Sequence, residues 1–256
     1  MISFGDQTKS KQNKMKRKIL LYIFLFINSI NIFAQQSAIV IYKAKLNSSP
    51  GIYKSIKEKF GESMMLMAQR KDAKFNDIVK DFDFTLKFNP NESRYQWQEE
   101  MPDETVNQMD YMMAKLIGDG NAIHYCNVAE NLYMQQFKDV STGILVRETA
   151  KLKDNKWQIT KETDTILGYP VIKAVQRKKV AWFTPNIPVP FGPGEARGLP
   201  GLVLKYVFAN KKIIYATKIK WLKKNIKIKR PEKGILRTQE EGRAKRIKEM
   251  GKYFGN

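Results

Sequence analysis

Apolar and polar residues alternate in short runs along most of this chain, and each run breaks at Asn, Asp, Pro or Gly. SAIVIYKAKL (37–46) is the first run. DFTLKFNPNESRYQWQ, NAIHYCNVAENLYMQQF, GILVRETAKL, KWQITKETDTILGYPVIKAVQR and KVAWFTP follow, and residues 202–208 and 213–222 form a last pair. A period of two sends one face of each run toward a core and the other toward water. Turn signals fall at Asn89–Asn91, near Gly118–Asn121, at Asp154-Asn155, at Arg177–Lys179 and across Ala209–Lys212. Short strands at regular spacing predict an antiparallel sheet. The expected fold is mainly β (α+β): a curved antiparallel sheet of about eight strands, with one helical segment near the N-terminus and a basic helix at the C-terminus.

The N-terminal helical segment is read from Ile52, Ile56, Phe60, Met64 and Met67, at spacings of three and four, with an interruption at Gly61. Met64/Met67 and Met109/Met112/Met113 sit at helical core spacing, and their thioethers are alternatively ligands for Cu(I) in an exported protein. VNQMDYMMAKLI is a short helix or a loop edge. Near the C-terminus Thr238 and Glu241 form a capping box that opens a helix, its acids early and its cations late.

From Met15 the chain reads MKRKILLYIFLFINSINIFAQQ, a basic start followed by an apolar run and a softer end. That order predicts a secretory signal peptide cleaved after Ala34. Its apolar run, Ile19–Phe26, is short of the about 20 residues of a membrane span. The expected organisation is a leader at 1–34 starting at Met15, one β-rich domain at 35–235 and a basic helix at 236–256. The expected location is the periplasm, or association with the outer membrane. Aromatic content of 14 Phe, 11 Tyr and 4 Trp supports a packed core, which packing alone must stabilise because the single Cys126 excludes an internal disulfide.

The net charge is +21, and it is concentrated near the C-terminus: residues 205–256 carry 17 Lys/Arg against four Asp/Glu. KIKWLKKNIKIKR (218–230) alternates cations with Ile, Trp and Leu. Lys218, Lys220, Lys223, Lys224, Lys227, Lys229 and Arg230 would therefore face an anionic surface such as lipid, lipopolysaccharide phosphates or an acidic protein. The same lysines would equally blunt an edge strand against aggregation. Export removes nucleic acid from the expected partners.

His124 is the only histidine, and Cys126 lies two residues on, on the same face of a strand. The pair reads either as a half-buried strand pair or as the thiolate and imidazole of a hydrolase. No second Cys or His exists to complete a metal site. Glu99, Glu100, Asp103 and Glu104 read as a solvated turn. With no catalytic constellation, metal site or cofactor motif, the expectation is that the chain is not an enzyme and carries no cofactor.

GPGEARGLPG (192–201) is glycine-rich, yet no Gly-Lys-Ser/Thr follows, and a strand rather than a helix comes next, so it is neither a phosphate loop nor a dinucleotide fingerprint. Leu199–Leu202 suits a type II turn with Pro200 first and Gly201 at positive φ, and Gly198 would allow a close backbone approach. ILGYPVIKA (166–174), VAWFTPNIPVPFGP (180–193) and GLPGLVLKY (198–206) together resemble the GLPGLI family, exported proteins of Bacteroidetes. The resemblance covers residues 157–208, departing where Pro170-Val171 replaces a cysteine and Val203 replaces Ile. It implies an envelope protein of unestablished activity, associated with TonB-dependent outer-membrane transporters. It also implies family-motif positions at Trp182, Phe183, Pro185, Gly192, Pro193, Gly198, Leu199, Pro200, Gly201 and Leu202. An alternative is a carrier of acyl chains with a lipoprotein-carrier fold, in which Trp182, Phe183 and Phe191 line the ligand surface.

Overall fold

A computed structural model describes residues 36–46, 50–98, 106–117, 120–209 and 212–254. Among these, twelve strands form one sheet. They are β1 (Ser37–Leu46), β2 (Phe84–Phe88), β3 (Glu92–Trp97), β4 (Ala122–Asn127), β5 (Leu132–Lys138), β6 (Leu145–Lys151), β7 (Gln158–Ile166), β8 (Tyr169–Gln176), β9 (Lys179–Thr184), β10 (Leu202–Phe208), β11 (Lys212–Leu222) and β12 (Ile235–Thr238). The helices are α1 (Pro50–Phe60), α2 (Glu62–Val79), α3 (Gln108–Ile117) and α4 (Gln239–Phe254). The signal segment and Glu99, Glu100, Asp103 and Glu104 lie outside the described residues.

The fold is mainly β, as expected, but the sheet is larger than eight strands and is mixed. Its order is β12-β6-β5-β4-β3-β2-β1-β11-β10-β9-β8-β7, antiparallel throughout except that β12 runs parallel to β6. The miscount has a local cause. NAIHYCNVAENLYMQQF folds into two strands about a tight turn at Val128–Asn131, and β12 has only four residues, too few to show a period.

β6 and β7 are consecutive in sequence but stand second and last in the sheet. In a flat sheet ten strand spacings would set them about 48 Å apart, at about 4.8 Å each. The link between them, Leu152–Trp157, reaches about 25 Å at most when fully extended. The sheet must therefore roll until its two ends face each other across that link. Asp154-Asn155, expected as a hairpin turn, instead bridges this seam.

The segment between β9 and β10 fills the inside of the roll. Ile187, Val189, Phe191, Ala196 and Leu199 are all buried, in one cluster with Val40 and Tyr42 of β1, Leu86 and Phe88 of β2 and Leu204 of β10. The Phe191 ring lies 6.2 Å from that of Phe88, and the Tyr42 hydroxyl donates to the Val203 carbonyl at 2.7 Å. Glycine is needed where the segment meets backbone. A Cβ on Gly201 would lie 2.2 Å from the Thr184 carbonyl oxygen, and one on Gly192 would lie 2.3 Å from that of Ala196. Gly201 does not have positive φ, which corrects the expected type II turn; Gly198 does, at 79°.

Beyond β11 the chain crosses the outer face of the roll as a strap. Ile226 N–H donates to Ser37 Oγ at the start of β1, Arg94 of β3 donates to the Lys229 carbonyl, and Gln136 of β5 donates to that of Lys233. Ile228 packs on Tyr125 and Met134, whose side chains leave β4 and β5 away from the main core. The alternation of 218–230 thus persists past the end of β11 at Leu222 without a ladder: the isoleucines face the sheet and the lysines face water. This strap delivers β12 alongside β6.

Helices α1 and α2 break at Gly61, where φ is 87°. The apolar spacing there does not mark a buried face: Phe60, Met64 and Met67 are exposed, as are Met109, Met112 and Met113 on α3. The core takes Phe75 and Val79 from α2 instead, which overturns the expected Met core. Thr238 and Glu241 close the capping box on α4, with Thr238 N–H to Glu241 Oε2 at 2.7 Å and Glu241 N–H to Thr238 Oγ1 at 3.1 Å.

Candidate functional site

The seam of the roll is open enough to form a cleft of about 1210 Å³. Its walls come from the end of β6 (Thr149–Lys151), the link (Asp154, Asn155, Lys156), the β8–β9 turn (Arg177, Lys178), Glu195 and Arg197 of the inner segment, Phe208, and the β12–α4 corner through Arg246. Eight lining residues are Lys or Arg and three are Asp or Glu. The Leu152–Trp157 link is fixed to the inner segment by Asn155 Nδ2, which donates to the Glu195 carbonyl at 3.0 Å, and by Trp157 Nε1, which donates to that of Arg197 at 2.9 Å.

Glu195 is ion-paired with Lys179. Burial alone would raise its carboxyl, but the Lys179 ammonium against it holds the group below the usual carboxylate range. The Arg197 guanidinium is buried and lies 3.5 Å from the centre of the Tyr133 ring. The Tyr133 hydroxyl is 2.8 Å from His124 Nδ1, so a chain of polar contacts runs from the cleft wall to the interior of the roll. Beside the cleft, Glu148 of β6 is buried and receives hydrogen bonds from Arg237 and from Arg246 of α4, each at 2.7 Å. That clamp holds α4 at the cleft rim. Gly242 is the residue that lets the helix approach, since a Cβ there would lie 1.9 Å from Glu148 Oε1.

His124 and Cys126 share the inner face of β4, as their spacing predicted, and both are buried. Burial pushes the Cys126 thiol up to about 11, so at neutral pH it is a thiol and not the thiolate that a nucleophile requires. The histidine contacts Tyr133 through Nδ1.

The motif positions do not form a surface. Phe183, Gly192, Pro193, Leu199, Gly201 and Leu202 are buried, Trp182 and Gly198 are half-buried, and Pro185 and Pro200 are exposed. Phe183 and Phe191 therefore belong to the core and are not a ligand-lining surface. Among the tail cations, Lys218, Lys220, Lys223, Lys224, Lys227 and Lys229 are exposed on β11 and the strap, while Arg230 is committed to Glu130 at 2.9 Å. None of them lines the cleft. The cleft cations do not stand out as one group in the sequence because they come from stretches far apart in the chain. The one available signal was the unusual density of Lys and Arg around 151–156, 177–179 and 243–246.

A protein-family model, the N-terminal domain of N-glycanase peptide, matches residues 122–240. Solved structures of PNGF-II are similar to the chain. One, in the C2 space group, is 16% identical with a TM-score of 0.49, covering 82% of this chain and 32% of that one. A second, in the P21 space group, is 17% identical with a TM-score of 0.45, covering 75% and 29%. The chain spans about a third of the length of these structures. No curated protein matches it.

These findings overturn two expectations. The stretch that resembled the GLPGLI family, residues 157–208, falls wholly inside the matched region, and the model it matches is that of the N-glycanase domain; its Gly192, Pro193 and Gly201 are placed by packing inside the roll. The expectation that the chain is not an enzyme is likewise overturned by similarity to part of an enzyme family.

Proposed function

We propose that this chain serves an N-glycanase-type activity, acting on N-linked glycoproteins outside the cytoplasm, with the seam cleft as the place where the glycan lies. One observation carries this reading. The region similar to the N-glycanase domain, 122–240, contributes every cleft-lining residue except Arg243 and Arg246. The cleft also has the chemistry a sugar chain needs. Asn155, Gln158, Gln176 and Gln239 offer amides to hydroxyl groups, and the exposed ring of Phe208 offers a flat apolar face to the C–H side of a pyranose. The signal-type sequence from Met15 fits a substrate met after export.

The test is incubation of the protein with a denatured N-glycoprotein, alone and together with an N-glycanase lacking its own N-terminal domain. Mass spectrometry would follow conversion of the glycan-bearing asparagine to aspartate. Glycan release that requires or is raised by this chain is the expected result. Absence of release, together with equal binding of glycosylated and unglycosylated peptide, would refute it.

A further inference from the structure

We propose that the seam cleft is selective for acidic glycans, those whose sugars carry carboxylate or sulfate groups; this rests on the glycanase reading above and names its substrate class. The charge balance of the walls supports it. Lys151, Lys156, Arg177, Lys178 and Arg243 line the cleft, and among the described residues none is held by a hydrogen bond or ion pair to a carboxylate. The cations that are already neutralised are different ones: Lys179 is taken by Glu195, and Arg246 by Glu148. The cleft therefore keeps a surplus of positive charge after its internal pairs are counted.

That surplus comes from opposite sides. Arg177 and Lys178 sit on the β8–β9 turn, Lys151 and Lys156 flank the link, and Arg243 projects from the first turns of α4. Cations gathered in a concavity with low-dielectric walls focus their field into it. An oxyanion bound there would form charge-assisted hydrogen bonds, about twice as strong as neutral ones. A neutral oligosaccharide would leave these ammonium and guanidinium groups unanswered.

The remaining lining favours a sugar over a nucleic acid. Single-stranded nucleic acid is held by several stacked aromatic side chains along a basic groove, whereas Phe208 is the one aromatic residue of this lining, and amide side chains make up much of the rest. The volume, about 1210 Å³, exceeds the roughly 300–1,000 Å³ typical of drug-sized ligands, so several linked sugar rings can enter.

The experiment measures binding of fluorescently labelled glycans to the full chain by anisotropy. The probes are a disialylated biantennary N-glycan, the same glycan after sialidase treatment, a sulfated biantennary N-glycan and a short oligothymidylate. The sialylated or the sulfated probe, whichever acid the cleft prefers, should bind at least about tenfold tighter than the neutral glycan. Lys178→Glu and Arg243→Glu, both at exposed positions, should each lower that affinity about tenfold or more, since each replaces a cation facing the oxyanion with a repelling carboxylate. Lys223→Glu, on the strap and outside the cleft, should leave it unchanged. Equal binding of the neutral glycan, unaffected by the cleft variants, would overturn the acidic preference and leave the glycanase reading standing. Equal and equally sensitive binding of oligothymidylate would replace it with a general polyanion site. Failure of every glycan to bind, with no glycan release, would sink both.

Discussion

Replacing Phe191 by alanine tests whether the Pro-rich segment is core or recognition surface. Phe191 is fully buried inside the roll, and its ring lies 6.2 Å from that of Phe88 at an interplanar angle of 50°. Ile187, Val189 and Leu199 of the same segment are buried in the same cluster, so the space left behind lies within packed core. Truncation of a buried Phe costs about 3–5 kcal/mol. For a chain of this size each kcal/mol lowers the unfolding midpoint by about 2–4 °C, so the shift should be roughly 6–20 °C. Thermal and urea unfolding followed by circular dichroism would measure it, with the exposed Pro200→Ala as a reference expected to change stability by less than about 0.5 kcal/mol. A Phe191→Ala protein within about 1 kcal/mol of the parent would show that the segment does not form the interior packing described above.

Two further outcomes follow from the buried polar groups. Glu148→Ala leaves the mostly buried Arg237 and the half-exposed Arg246 without their shared carboxylate, and the uncompensated Arg237 charge should cost about 3 kcal/mol; hydrogen exchange should then show α4 losing protection before the sheet does. Cys126, buried and with its thiol raised to about 11, should resist a thiol reagent at pH 8 until the protein is unfolded. Because the raised value disfavours the thiolate, any labelling of the folded protein should accelerate as pH climbs toward that value, and rapid labelling at neutral pH would return Cys126 to the list of candidate nucleophiles.

Much of the sheet was legible because its strands carry a period of two, and β1 coincides with the SAIVIYKAKL run residue for residue. The capping box was legible because its two partners are three residues apart and need nothing distant. Other features depended on partners the sequence does not name. Methionines at helical spacing share a helix face, but nothing local says whether another element covers that face, and here Met64, Met67, Met109, Met112 and Met113 remain exposed. The lysines of 218–230 look like one strand because an extended strap laid across a sheet sorts residues by the same alternation as a paired strand. The cleft was least legible. Lys151, Arg177 and Arg243 become neighbours only because a six-residue link forces β6 and β7 together, and that constraint appears once the strand order is known.

The strap also covers sheet surface that would otherwise be open to pairing with another molecule. β12 occupies the outer edge of β6, and Ile226 and Ile228 cover apolar side chains on the outer face. A chain ending at Leu222 would bare the unpaired N–H and C=O groups of β6 beside an uncovered Tyr125 and Met134, the combination that lets sheet edges of separate molecules zip together. At the opposite end β7 presents Lys161, Glu162 and Asp164, exposed charges that discourage such pairing. The basic C-terminal segment is thus a cap on the sheet as well as a carrier of charge, and shortening it would open the sheet to aggregation before it revealed anything about anionic surfaces.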